Sequence, residues 1–103
     1  MRSLKVSVHH HLPKEEAITR IKKLFTNLKH EQKDKISHVK EEWKDGTGTV
    51  HFSAQGFDLS AIVTVHRSTV EIDAKVPFAV YMFKGKIKDV IKTKAEEVLS
   101  NEK

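Results

Sequence analysis

The segment from Val50 to Val76, VHFSAQGFDLSAIVTVHRSTVEIDAKV, alternates apolar and polar residues with period two through three successive runs. Val50, Phe52 and Ala54 share one phase. After Gln55-Gly56 that phase resumes through Phe57, Leu59, Ala61, Val63 and Val65, and after Arg67-Ser68 through Val70, Ile72, Ala74 and Val76. Successive side chains of an extended strand point to opposite faces, so the pattern predicts an antiparallel meander with one apolar face and one wet face. It specifies an architecture and no chemistry.

Toward the amino terminus, Asp45-Gly46 predicts a hairpin turn, because glycine tolerates the positive φ such turns require. The strand before it, Ile36 to Trp43, has Val39, Glu41 and Trp43 in the inward phase. Glu41 conflicts with that phase, and a bulge or an edge position would relieve the conflict. Leu4, Val6 and Val8 mark a first strand. Pro13 suits a first helical turn, with Glu15 and Glu16 where the helix dipole favours negative charge. Ala17, Ile18, Ile21, Leu24, Phe25 and Leu28 then recur at three- and four-residue spacing, predicting a helix to about Lys29 or Glu31.

Toward the carboxyl terminus, Pro77 ends the last strand. Val80, Phe83, Ile87, Val90, Ile91, Ala95, Val98 and Leu99 follow helical spacing, with Lys94 flanking the stripe. Gly85 interrupts this pattern, so the final helix is expected to begin after it, with Phe78 to Phe83 as a separate turn. The predicted order is β-α-β-β-β-β-α. It describes an α+β fold in which a curved antiparallel sheet packs one face on two helices, a reduced helix-grip-like arrangement.

The 103 residues make one domain, 1–103, since a second core would leave each half too small to offset chain entropy. The absence of cysteine removes disulfides and thiolate chemistry and fits a cytoplasmic location. Near the amino terminus the chain turns polar at His9 to His11, unlike the apolar stretch of a signal peptide. No apolar run approaches the ~20 residues of a membrane-spanning helix. The net charge of +5 comes mostly from lysines interspersed with acidic residues. Nucleic-acid binding through these surface lysines is a further alternative function, less expected because an arginine cluster and a ladder of aromatic residues are missing.

The outward phase collects histidines. His9, His11, His51 and His66 fall on the wet face together with Asp58, Glu71 and Asp73, and imidazoles with carboxylates are competent ligands for zinc, copper or nickel. A metal-binding or hydrolytic site there is the alternative function, and it requires four ligands to converge; solvated side chains on a wet sheet face are the simpler expectation. His10 points the other way. No serine lies in a nucleophile elbow, and Gly46-Thr47-Gly48 lacks the lysine and helix of a phosphate loop. No cofactor is expected. Aromatic and apolar residues crowd Phe78, Tyr81, Met82 and Phe83, where Tyr81 and Met82 leave the helical stripe and so can form an exposed patch.

Several positions together resemble the polyhydroxyalkanoic acid system protein family. They are His11-Leu12 followed by Glu15-Glu16-Ala17, Trp43, Phe52 with Gly56, Val65, Val70 with Ile72, Val76-Pro77, and Phe83-Lys84-Gly85-Lys86-Ile87 with Ile91. The chain carries Lys86 and Lys88 beside Ile87, where the resemblance leads one to expect an acidic residue. The resemblance implies a cytoplasmic accessory protein of the polyester storage-granule system and no enzyme. Such a protein is expected to dock through Trp43, Phe78, Tyr81 and Met82 to a granule surface, a hydrophobic ligand or another protein chain, a homodimer included.

Overall fold

Two turns of two residues each set the register of the sheet. Asp45-Gly46 joins β2 (Ile36–Lys44) to β3 (Thr47–Ala54), and Gln55-Gly56 joins β3 to β4 (Phe57–Val65). In both turns the two residues have φ of 51° and 84°, the left-handed pair whose twist matches that of the flanking strands. In the third connection His66 N–H bonds to Thr69 C=O at 2.8 Å, leading into β5 (Thr69–Val76). The computed structural model describes residues 2–100.

β5 pairs with β1 (Arg2–His9), and the described strands form an open sheet of order β1-β5-β4-β3-β2 in which all neighbours are antiparallel. The expected phases hold throughout: Val6 pairs with Ile72, Ile72 with Val63 and Val63 with Gly48, so one face is apolar from strand to strand.

That face is covered by α1 (Lys14–Glu31) and α3 (Lys84–Leu99). Pro13 stands just before α1 in an extended conformation (φ −56°, ψ 146°), and its carbonyl accepts the Ala17 N–H at 3.0 Å. It therefore precedes the first turn that it was expected to occupy. The separate turn after Pro77 is the short helix α2 (Phe78–Tyr81). It closes with Met82 N–H on Phe78 C=O and Phe83 N–H on Val80 C=O, so the break falls at Met82 and Phe83 and α3 begins one residue before Gly85.

The helices do not cover the sheet evenly. α3 packs along β1, and α1 packs on α3 and β4. The buried core accordingly lies under β1, β5 and β4, where Val6, Val8, Val63, Val65 and Val70 meet Ala17, Ile21, Ala95 and Leu99. A second cluster of Leu4, Ala74 and Val76 continues it toward α2. Phe52 and Ala54 on β3, and Leu24 and Leu28 on α1, are apolar residues of the inward phase that end only half-buried.

β2 has both features, an edge position and a bulge, and Glu41 nevertheless stays in the inward phase opposite Val50. The strand is an edge, and between Ser37↔Ser53 and Lys40↔His51 it advances three residues against two, a bulge at which His38 adopts φ 55°. The bulge keeps Glu41 on the inner face, where its carboxylate accepts Trp43 Nε1–H at 2.6 Å and meets Lys29 Nζ at 3.3 Å. Removing the charge while keeping the acceptor separates these contacts. Glu41→Gln is expected to change unfolding free energy by no more than about 0.5 kcal/mol, because an ion pair near solvent adds little. Glu41→Ala is expected to cost about 1 kcal/mol by leaving the indole N–H without its acceptor, both values being read from urea melts.

Candidate functional site

Residues 78–83, Phe-Ala-Val-Tyr-Met-Phe, are apolar or aromatic without interruption. One helical turn points side chains in every direction, so such a segment cannot bury all of them against a single sheet. Val80 and Tyr81 pack on the cluster of Leu4, Ala74 and Val76. Phe78, Met82 and Phe83 are left 60%, 69% and 68% exposed. Phe83, expected in the buried stripe of the last helix, lies outside it because the break after α2 changes the helical phase.

Beside this turn stands the β3–β4 hairpin. Ala54, Phe57 and Leu59 face Ala79, Val80 and Phe83 across an open cleft of about 360 Å³. Phe57, in the inward phase of β4, is 37% exposed because no helix covers that end of the strand. Phe57 and Phe83 thus meet at a recess lined mostly by apolar side chains, while Phe78 and Met82 are exposed on the same turn as Phe83 without lining the recess. Cations flank that turn. The Arg2 guanidinium lies 5.5 Å from the Phe78 ring and 5.6 Å from the Tyr81 ring, and Lys84 Nζ lies 4.8 Å from the Tyr81 ring.

Trp43 lies at the other end of the sheet. It pairs with Gly48, six residues from Ala54 along β3, which is roughly 20 Å at about 3.3 Å per residue. Its indole packs on Phe25 at 6.3 Å between centroids, and Lys22 Nζ lies 5.4 Å over its ring. Of the four residues expected to dock, Phe78 and Met82 are exposed together, Tyr81 is half-buried beside them, and Trp43 is remote.

The outward histidines are also dispersed. His51 pairs with Ser60, six positions from His66 along β4 and so roughly 20 Å from it. His9 pairs with Thr69, His11 lies beyond β1, and His66 Nε2 meets Glu71 Oε1 at 2.9 Å on the exposed face. Among the described residues no group of three or more histidines and carboxylates is close enough to hold a metal ion.

A family model described as "Putative polyhydroxyalkanoic acid system protein" matches residues 4–99. The chain belongs to this polyhydroxyalkanoic acid system family. The matched span takes in the sheet, α1, α3 and the α2 face together. Neither the curated proteins nor the solved structures contain a match to the chain. Among the described residues of this polyhydroxyalkanoic acid system protein, no helix is long and apolar enough to cross a membrane.

The histidine that the sequence turns away from the wet face holds the structure beside β1. His10 is 3% exposed. Its Nδ1 accepts the Leu12 N–H at 3.1 Å, which assigns the ring proton to Nε2, and Nε2–H donates to the His66 carbonyl at 3.0 Å. The imidazole thereby ties the β1–α1 connection to the end of β4. Its signal was parity, since His10 continues the inward phase of Leu4, Val6 and Val8 past the end of the strand.

Proposed function

We propose that this protein is a non-enzymatic, cytoplasmic accessory component of the polyhydroxyalkanoate storage-granule system that docks through the α2 face to the granule surface. The observation that carries the reading is the exposure of Phe78, Met82 and Phe83 on one short turn, Phe83 opening on an apolar cleft that Phe57 also lines. Several large apolar side chains exposed on one turn, with Arg2 and Lys84 against the neighbouring rings, mark an interaction site more often than chance. Membership in the polyhydroxyalkanoic acid system family supplies the partner's chemistry. A polyester surface offers alkyl groups to the aromatic residues and ester carbonyls to the N–H donors of Arg2 and Lys84.

The test is co-sedimentation of purified protein with polyhydroxyalkanoate granules or with protein-free polyester particles. Each large apolar side chain transferred from water contributes about 2 kcal/mol, roughly 30-fold in a partition constant. Phe78→Asp combined with Met82→Asp is therefore expected to reduce binding by at least tenfold while leaving the melting temperature within a few degrees. Ile62→Thr, on the opposite face of the sheet, is expected to bind as wild type. Unchanged sedimentation of the double variant would sink the reading.

A further inference from the structure

We infer that the α2 face, with the lysine row beside it, binds an anionic phospholipid surface, the exposed apolar side chains entering the acyl layer while Arg2, Lys84 and Lys88 hold headgroup phosphates. The inference rests on the reading of α2 as a docking face. It adds a requirement for negative charge that an uncharged polyester does not impose.

The apolar part is a protruding turn. Phe78, Tyr81 and Met82 stand three and four residues apart and so share one side of α2. Tyr81 packs inward on the cluster of Leu4, Ala74 and Val76, while Phe78 and Met82 are left in water. A folded partner would need a pocket shaped to receive them, whereas a fluid acyl layer takes them in without one.

Cations continue from that side. The Arg2 guanidinium rests near the rings of both Phe78 and Tyr81, and Lys84 Nζ rests over the Tyr81 ring. Lys84, Lys88 and Lys92 then follow at four-residue spacing along α3, in one exposed row that Glu96 closes. Among the described residues none of Arg2, Lys84, Lys88 and Lys92 forms an ion pair. On α1, by contrast, Arg20 pairs with Glu16 at 3.0 Å and Lys29 reaches Glu41 at 3.3 Å.

Helix stability does not account for the row. Like charges at four-residue spacing destabilise a helix, and a lysine in the first turn opposes its dipole. α1 follows the dipole with Glu15 and Glu16 in its first turn, and α3 has no acidic residue there. The positive charge beside Tyr81 is therefore left for a ligand to neutralise.

The two parts together select the occupant. A nucleic acid would neutralise the lysines and leave Phe78 and Met82 in water. A neutral apolar surface would cover those side chains and leave the lysines without counter-charge. An anionic lipid surface meets both needs, because its acyl chains begin just beneath its phosphates and lysine stems can lie along that boundary with the ammonium among the headgroups.

Co-sedimentation of the full chain with vesicles tests this, using phosphatidylcholine alone or equal parts phosphatidylcholine and phosphatidylglycerol. Wild type is expected to bind the mixed vesicles at least about tenfold more tightly, with a preference that shrinks as salt is raised. Lys84→Gln with Lys88→Gln keeps helix propensity and N–H donors but removes two charges. It is expected to weaken binding to mixed vesicles by about tenfold or more while sedimenting with polyester particles as wild type does. Phe78→Asp with Met82→Asp is expected to lose both. Equal binding to the two vesicle types, or indifference to the glutamine substitutions, would overturn the inference and leave polyester docking standing. Tight binding of duplex DNA that survives Phe78→Asp with Met82→Asp would also overturn it, by assigning the lysines to polyanions in general. If that same variant kept both vesicle and polyester binding, the docking face itself would fall, and the inference with it.

Discussion

Gly48→Ala is expected to destabilise the protein by about 2 kcal/mol, although it adds one methyl group to a β-strand where glycine is ordinarily a poor choice. A Cβ at position 48 would stand 2.5 Å from Trp43 Cε2 and 2.6 Å from Cζ2, inside the distance that carbon atoms tolerate. The indole cannot swing aside at low cost. Its N–H is bonded to Glu41, one face meets Phe25, and Lys22 lies over the ring. Replacing glycine in a strand would by itself stabilise by up to about 1 kcal/mol, so steric overlap wins only because the tryptophan is held on several sides. For a domain of this size the loss corresponds to a fall in melting temperature of about 10 °C. A double-mutant cycle isolates the cause. In a Trp43→Leu background Gly48→Ala should be close to neutral, and a melting temperature raised by Gly48→Ala alone would refute the packing argument.

His10→Ala is expected to cost about 3 kcal/mol. It removes a buried ring and leaves two backbone groups, the Leu12 N–H and the His66 carbonyl, without their partner. Each unpaired group in a site largely closed to water costs about 1–3 kcal/mol, and the vacated volume adds to that. His10→Asn should restore part of the loss, since its carbonyl oxygen can accept from Leu12 while its side chain is too short to span to His66. Chemical denaturation gives the free energies. The tautomer gives an independent check, because the geometry requires the proton on Nε2. Nitrogen spectra showing a proton on Nδ1 would contradict the bonding scheme itself.

The remaining contrasts between sequence and structure have local causes. Each strand of the meander was legible because alternation and the two glycine turns state phase and boundary at once. Glu41 announced a disturbance in β2 but not which kind, since a bulge depends on how the neighbouring strand pairs. Phe83 and Phe57 end exposed for different reasons. The break after α2 takes Phe83 out of the α3 stripe, whereas Phe57 keeps its inward phase and is exposed because α3 lies along β1 and α1 leans toward α3, leaving that end of β4 uncovered. The same offset leaves Phe52 and Ala54 half-buried. Listing the outward histidines was straightforward. Whether His51 and His66 meet was a matter of strand register, and register keeps them apart.

By itself the sequence determined the strands, their faces, the stripe of α1, most of that of α3 (Phe83 and Val90 end exposed), the turn after Pro77 and the family, because these follow from periodicity, from backbone chemistry and from similarity read along the chain. Tertiary structure alone decided the rest. It brought Phe57 to Phe83, separated Trp43 from Phe78, seated Trp43 on Gly48, bonded His10 to His66, and left β1 at an open edge. Those outcomes depend on strand order and helix placement, which no local pattern encodes, since residues far apart in the chain become neighbours only when the whole sheet is assembled.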